Sequence, residues 1–323
     1  MQVYHAQAAD CRVYAAPLNS RWMAKDAKVL YGADGNLRSG WRFAIFIAIF
    51  ILAYTFFLSV AVVAFQGFGI TSESGQATVL VVHGLIALAI ALVVAWLCGK
   101  YLEKLPFEAL GAAFKNRWII NLLIGIIGGM ITFAIGASVA VLLGGLSFSF
   151  NAGASTNSII STLLISFIVF AVAAAFEEAL FRGYILQTFV RSGLAWPAII
   201  ITSLAFGAVH LGNPNASVIS SLNTALAGIW FSVAYLKTRD LWFPFGLHLA
   251  WNWTQGSIFG VEVSGLTDIV KSPLLRETDV GPLWLTGGDY GIEGGIATTV
   301  AILISIAAIH LIPFGSIDTE TTS

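Results

Sequence analysis

Phe176-Glu177-Glu178-Ala179-Leu180-Phe181-Arg182 interrupts a hydrophobic stretch at 158–190 that is otherwise long enough to cross a membrane. Placing ionised side chains at the centre of a membrane helix costs about 2.5–3.5 kcal/mol each on insertion scales. Only 10% of this chain is charged, so three such residues in seven positions are not there for solubility. They point to a functional site facing a polar cavity inside a helix bundle. Glu178 and Arg182 are four residues apart, the spacing of a same-face ion pair. That pairing accounts for two of the charges and leaves Glu177 over.

Outward from this run the chain stays apolar. It is 58% hydrophobic and 13% aromatic, with a mean hydropathy of +0.85, the composition of a polytopic membrane protein. The net charge is −1 and there is no basic stripe, which argues against a nucleic-acid partner. The two cysteines, Cys11 and Cys98, do not suggest a disulfide framework. Residues 1–40 lack the apolar core of a signal peptide.

Hydrophobic runs predict about eight spans, near 41–65, 77–97, 118–143, 158–190, 196–211, 218–236, 241–259 and 296–314. The fourth is too long for one crossing and must tilt or run past the bilayer. The fifth is too short. The expected fold class is therefore all-α, a polytopic membrane helix bundle. A polar cytosolic arm at 1–40 precedes a transmembrane domain at 41–317, whose motif core is 155–260. A short tail at 318–323 follows.

Basic residues orient the bundle. Arg12, Arg21, Lys25, Lys28, Arg38 and Arg42 precede or open the first span. Lys100, Lys104, Lys115 and Arg117 lie between the second and third, Arg182 and Arg191 end the fourth, and Lys237 and Arg239 separate the sixth and seventh. Of the 16 Lys and Arg, only Lys271 and Arg276 fall on the other side if both termini are cytosolic. The longest external loop is then 261–295, and its glycine density between 287 and 295 reads as turns.

Three further polar residues stand out. His210 ends the fifth span, with Phe206 one turn before it. His248 and Asn252 share a face of the seventh. Measured from the cytosolic ends of their helices, Glu177 and His210 lie on the order of 21 Å deep and His248 and Asn252 about 12 and 18 Å. They thus form one layer between the cytosolic third and the midplane. His83 and His310 are lone and read as packed or hydrogen-bonding side chains. The loop 212–215 can line the same cavity, because irregular backbone at membrane depth is tolerated where it is buried in protein or reached by water.

A carboxylate beside a histidine can take a proton from water. A second histidine and an amide can donate hydrogen bonds to a developing oxyanion. Together they suit hydrolysis of an amide. The same Glu177, His210 and His248 could instead hold Zn²⁺, although the spacing is not that of HExxH peptidases and amides such as Asn252 are poor zinc ligands. No cofactor is favoured, with Zn²⁺ as the alternative. Neither cysteine lies in the layer to serve as a nucleophile.

Glu177-Glu178-x-x-x-Arg182, Phe206-x-x-x-His210 and His248-x-x-x-Asn252, in this order on three membrane helices, resemble the motifs of the CAAX protease and bacteriocin-processing (CPBP) intramembrane peptidases, which include the type II CAAX prenyl endopeptidase. The resemblance implies an eight-span bundle with a polar cavity open to the cytosolic side. It also implies that Glu177 and His210 activate water and that His248 and Asn252 support the oxyanion. Glu178, Arg182 and Phe206 become supporting groups. The expected function is an intramembrane endopeptidase acting on a membrane-associated peptide or protein, lipidated in one branch of the family. The expected location is the bacterial cell membrane. A non-catalytic scaffold or bacteriocin self-immunity protein, using the same pocket for binding, is the alternative. A transporter with a Glu177–His210 proton relay is a third reading, and the chain lacks the paired broken helices that would favour it.

Overall fold

The computed structural model describes residues 29–32, 35–69, 72–114, 117–266 and 269–312. The N-terminal arm up to residue 28, Lys115, and the tail from residue 313, including 318–323, lie outside the described residues.

The fold is helical, as hydropathy predicts. Helix α1 is Ser39–Gly67 and α2 is Ser72–Leu102, with non-helical backbone at Gly75; α3 is Trp118–Leu142. Helix α4 (Thr156–Glu178) runs without a break through a π-helical segment, Ala179–Ile185, into α5 (Leu186–Arg191). Then come α6 (Ala195–Val209), α7 (Val218–Thr238) and α8 (Trp242–Trp253), the last extended by a second π-helical segment, Thr254–Ile258. The short α9 (Leu283–Thr286) precedes α10 (Ile296–Leu311).

Five segments are long and apolar enough to cross a membrane: 39–67, 75–102, 118–142, 156–191 and 218–238. The shorter apolar helices α6 and α10, with α8 and its π extension, complete the bundle among the described residues. The chain is an integral membrane protein. The 36-residue segment Thr156–Arg191 is about 54 Å long. It outruns a hydrocarbon core of about 30 Å, as its predicted length demands.

Small residues set the closest helix contact. In lipid, helices associate through packing rather than through a hydrophobic drive, so glycine faces let backbones meet. A Cβ on Gly125 or Gly129 of α3 would fall 2.4 Å from the carbonyl oxygens of Phe243 and Leu247 on α8. This seam fixes the helix that carries His248 and Asn252. At the same end of α8, Asp240 Oδ1 accepts from the Trp242 and Phe243 N–H groups, and Asn121 of α3 hydrogen-bonds the other oxygen.

The basic end of the bundle is tied by one carboxylate. Glu103, just past α2, receives Arg42 Nη1 at 2.5 Å and Arg191 Nε at 2.9 Å. Arg42 Nη2 also reaches Ser192 Oγ at 3.3 Å. Burial works against the Glu103 charge, but the guanidinium groups of Arg191 and Arg42 outweigh it and hold the carboxyl below the usual carboxylate range.

At the opposite end the structure adds what hydropathy does not show. β1 (Leu146–Phe150) pairs antiparallel with β2 (Leu275–Asp279), Leu146 opposite Asp279 and Phe150 opposite Leu275. The 261–295 stretch, expected as an external loop, folds into the bundle. Leu285, Tyr290 and Ile292 are buried and contribute to its packing.

Candidate active site

Each of the three motifs sits where its helix changes. Glu177 and Glu178 are the last residues of α4 before the π-helical segment. His210 caps the C-terminus of α6, four residues after Phe206. His248 and Asn252 lie on α8 just before its own π-helical segment. Wide i→i+5 turns inside α-helices concentrate at functional sites, because they redirect the side chains around them.

The helices bring these residues to one cavity of about 450 Å³. Glu177, Phe206, His210, His248 and Asn252 all line it. His248 Nε2 is 3.8 Å from Glu177 Oε2. Among the described residues, Glu177 Oε2 is buried and has no hydrogen-bond partner. His210 Nδ1 lies 2.7 Å from the Phe206 carbonyl oxygen. That carbonyl can only accept, so Nδ1 carries a proton and, in the neutral ring, Nε2 is left with its lone pair.

Glu178 and Arg182 turn the other way and are completely buried. Arg182 Nη1 donates to Glu178 Oε1 at 3.0 Å, and Nη2 donates to the Gly228 carbonyl of α7 at 3.0 Å. The guanidinium also lies against the rings of Phe206 (4.8 Å) and Phe231 (5.2 Å), a cation–π cradle. Glu178 Oε1 is 3.0 Å from His248 Nδ1 as well. Phe231 stacks on the His248 ring at 4.6 Å, and Phe206 meets it edge-on at 6.0 Å. The i,i+4 pair expected from the sequence is present. Its further role, orienting the imidazole of another helix, is not visible in the spacing.

The Zn²⁺ alternative needs Glu177, His210 and His248 as a converging ligand set. Among the described residues no group of three or more His, Cys, Asp or Glu side chains is placed to hold a metal ion. His210 Nδ1 and His248 Nδ1 are engaged by Phe206 and Glu178, which leaves Nε2 of each ring open.

Several lining residues fall outside the motifs. His83 of α2, read from sequence as a packed histidine, borders the cavity, and its buried Nε2 has no partner among the described residues. Asn213, in the loop after His210, lines it too, as the 212–215 reading expects. Val263, Ser264, Leu266 and Glu293 enter from the 261–295 stretch. The lining thus combines the motif helices with the 261–295 stretch.

With three helices delivering all three motifs to one cavity, the chain can be compared with known proteins. Residues 158–254 match the type II CAAX prenyl endopeptidase Rce1-like family. The matched stretch begins in α4 and ends just after Asn252, so it contains every motif of the site. It is consistent with a CPBP-family intramembrane peptidase. A protein of Escherichia coli, named only as an uncharacterized 24.3 kDa protein, is 36% identical over 107 residues. The aligned segment covers 32% of this chain and 48% of that protein, so the chain spans about half the length of the curated relative it matches. The Rce1-like match leaves α1, α2, α3 and α10 outside it, and with them His83 and Glu293.

Proposed function

We propose that the chain is an intramembrane endopeptidase that hydrolyses a peptide bond of a membrane-associated protein or peptide with water activated by its own side chains. The observation that carries this reading is the Glu177 carboxylate: one oxygen buried, without a partner among the described residues, facing His248 across 3.8 Å at the wall of a cavity. The Rce1-like match over the same residues supports it.

In the proposed reaction Glu177 takes a proton from a water in the cavity, and His210 Nε2 accepts the water's second hydrogen bond. The water oxygen attacks the scissile carbonyl. Charge developing on the carbonyl oxygen is met by Asn252 Nδ2 and by His248 Nε2–H of an imidazolium, whose other proton, on Nδ1, is donated to Glu178. Glu178 keeps the His248 ring in place through Nδ1, and Arg182 balances Glu178. Glu177 then returns its proton to the leaving amine, so the base of the first step is the acid of the second. No metal is used in this scheme.

The test uses the purified protein in lipid nanodiscs with membrane-anchored peptide libraries, wild type against Glu177→Gln and Glu177→Ala, with products read by mass spectrometry. Cleavage lost in both variants at unchanged folding supports the peptidase. An effect in cells that survives Glu177→Ala favours the scaffold or immunity reading. Activity lost on chelation and restored by added zinc overturns the metal-free scheme.

A further inference from the structure

Where the 261–295 stretch meets the cavity wall, one carboxylate fastens it. Glu293 lies in the glycine-rich stretch before α10, outside every motif. Its Oε1 accepts from the Trp251 indole N–H at 3.1 Å. Its Oε2 accepts from the Ser264 backbone N–H at 2.7 Å and from the Ser264 hydroxyl at 2.8 Å. Charge-assisted hydrogen bonds of this length are roughly twice as strong as neutral ones.

Both partners are placed to matter. Trp251 precedes Asn252 on α8 and is buried, edge-on to Phe133 at 5.5 Å and Trp230 at 5.9 Å. Ser264 forms the tip of the 261–266 turn, with a left-handed φ of 51°. Its carbonyl accepts from Asn213 Nδ2, in the loop after His210, at 3.0 Å. A continuous chain of contacts therefore runs from the His210 loop through Ser264 and Glu293 to the residue beside Asn252.

Glu293 is itself held from behind. Asn223 Nδ2 of α7 donates to the Glu293 and Gly295 carbonyls, each at 2.8 Å. The turn that presents it needs Gly291, whose φ is +88° and whose Cβ, if present, would lie 1.9 Å from the Glu262 carbonyl oxygen. Both carboxylate oxygens of Glu293 are engaged, so its geometry suits holding protein in place rather than capturing a cation.

We propose that Glu293 is a positioning residue: it latches the 261–266 turn onto Trp251, closing the cavity along that wall and holding Asn252 in register with Glu177 and His248. The kinetic consequence rests on the peptidase reading. The latch itself does not.

The test separates the two. Glu293→Gln keeps the size of the side chain but offers one acceptor oxygen, enough for Trp251 or Ser264 and not both. Trp251→Phe keeps the ring and removes only the indole N–H. The reporter is a thiol at Ala227→Cys, a cavity-lining position, in a chain with Cys11→Ser and Cys98→Ala. Maleimide labelling in detergent micelles and hydrogen exchange of the 261–266 peptide are read together. For Glu293→Gln, thiol labelling and turn exchange are expected to rise about tenfold or more, the scale of a lost hydrogen bond to a charged group. The kcat for any membrane peptide that the wild type cleaves falls by a similar factor, with KM nearly unchanged. Trp251→Phe lowers kcat alike but leaves turn exchange near wild type, because Ser264 stays fastened. Adding it to Glu293→Gln brings little further loss. Should Glu293→Gln fail to fold, Ser264→Ala, a milder cut in the same latch, is read by the same labelling and exchange. Unchanged labelling and exchange in a folded latch variant overturn the latch, even if Glu177→Gln proves inactive. A wild type without peptidase activity overturns only the kinetic consequence, and labelling and exchange still decide the latch.

Discussion

Glu103 and Glu177 are both carboxylates in a chain of few charges, and their surroundings are opposite. Glu103 is 4% exposed and meets two arginines from two different helical segments. Glu177 is 22% exposed, borders a cavity, and lies 3.8 Å from His248. The first charge is fully compensated and joins α1, α2 and α5. The second keeps a buried oxygen with no partner among the described residues. A carboxylate closed off by arginines can hold helices together, and one that faces a cavity can move a proton. Glu178, next to Glu177, stands between the two: its Oε1 meets Arg182 and His248, while its buried Oε2, like that of Glu177, has no partner among the described residues.

The contrast is most directly broken at Glu177. Glu177→Gln is expected to lower kcat by about 10²–10⁴, the usual contribution of a general base, at an unchanged melting temperature. Glu178→Gln is expected to lose less rate, since it disturbs the orientation of His248 rather than the base. Equal losses in the two variants would erase the proposed division of roles. Peptide cleavage and thermal melts in the same nanodiscs measure both.

Arg182→Ala is next in size and of a different kind. It leaves Glu178 buried and unpaired, which costs about 3–5 kcal/mol for comparable sites. Loss of folded protein in detergent, together with loss of rate, is the expected outcome. An Arg182→Ala chain that melts like wild type would show that the Glu178 charge is balanced elsewhere.

Glu103 gives a smaller effect that depends on pH. Its carboxyl is held below the ordinary value, so the stability it contributes is complete above the usual carboxylate range and is lost as pH falls through the lowered value. Melting temperature in micelles should drop on acidification, and Glu103→Gln should flatten that dependence. Glu277 of β2 should do the reverse. Burial, with Glu262 and Asp279 nearby, pushes its carboxyl up from 4.5 to about 8. The protonated form is favoured in the fold, so its contribution is complete below pH 4.5 and disappears as pH rises through about 8. Protection of the β1–β2 amides, corrected for the base-catalysed intrinsic exchange rate, should therefore fall towards pH 8, and Glu277→Gln should remove that fall. This is the smallest effect expected, confined to one pair of strands.

The spans were legible because hydrocarbon imposes long apolar runs, and the observed helices start and stop within a few residues of them. The motif residues were legible because polar residues inside such runs are few. Glu177 and His210, read at similar depth, line one cavity together with His248 and Asn252, read somewhat nearer the cytosolic end of their helix. What was not legible depends on distant segments meeting. Leu146–Phe150 finds its partner more than a hundred residues later, and neither strand alone outweighs its surroundings. Glu293 was hidden among glycines that read as turns. Its role exists only once the loop folds back onto Trp251. His83 looked like any lone histidine in an apolar helix, since nothing in α2 reveals which helix it faces.

The π-helical segment Ala179–Ile185 lies between the Glu177–Glu178 pair and Arg191, the two ends of one rod that serve the two clusters compared above. Closing i→i+5 instead of i→i+4, it works as a phase adjuster: it lets one end of the rod be aimed at the cavity and the other at Glu103 without a break in the backbone. Deleting a single residue there would restore an even α-helical pitch at little local cost. The two ends could then no longer both be aimed correctly, and the chain would have to choose between its clasp at the basic end and its carboxylate at the cavity.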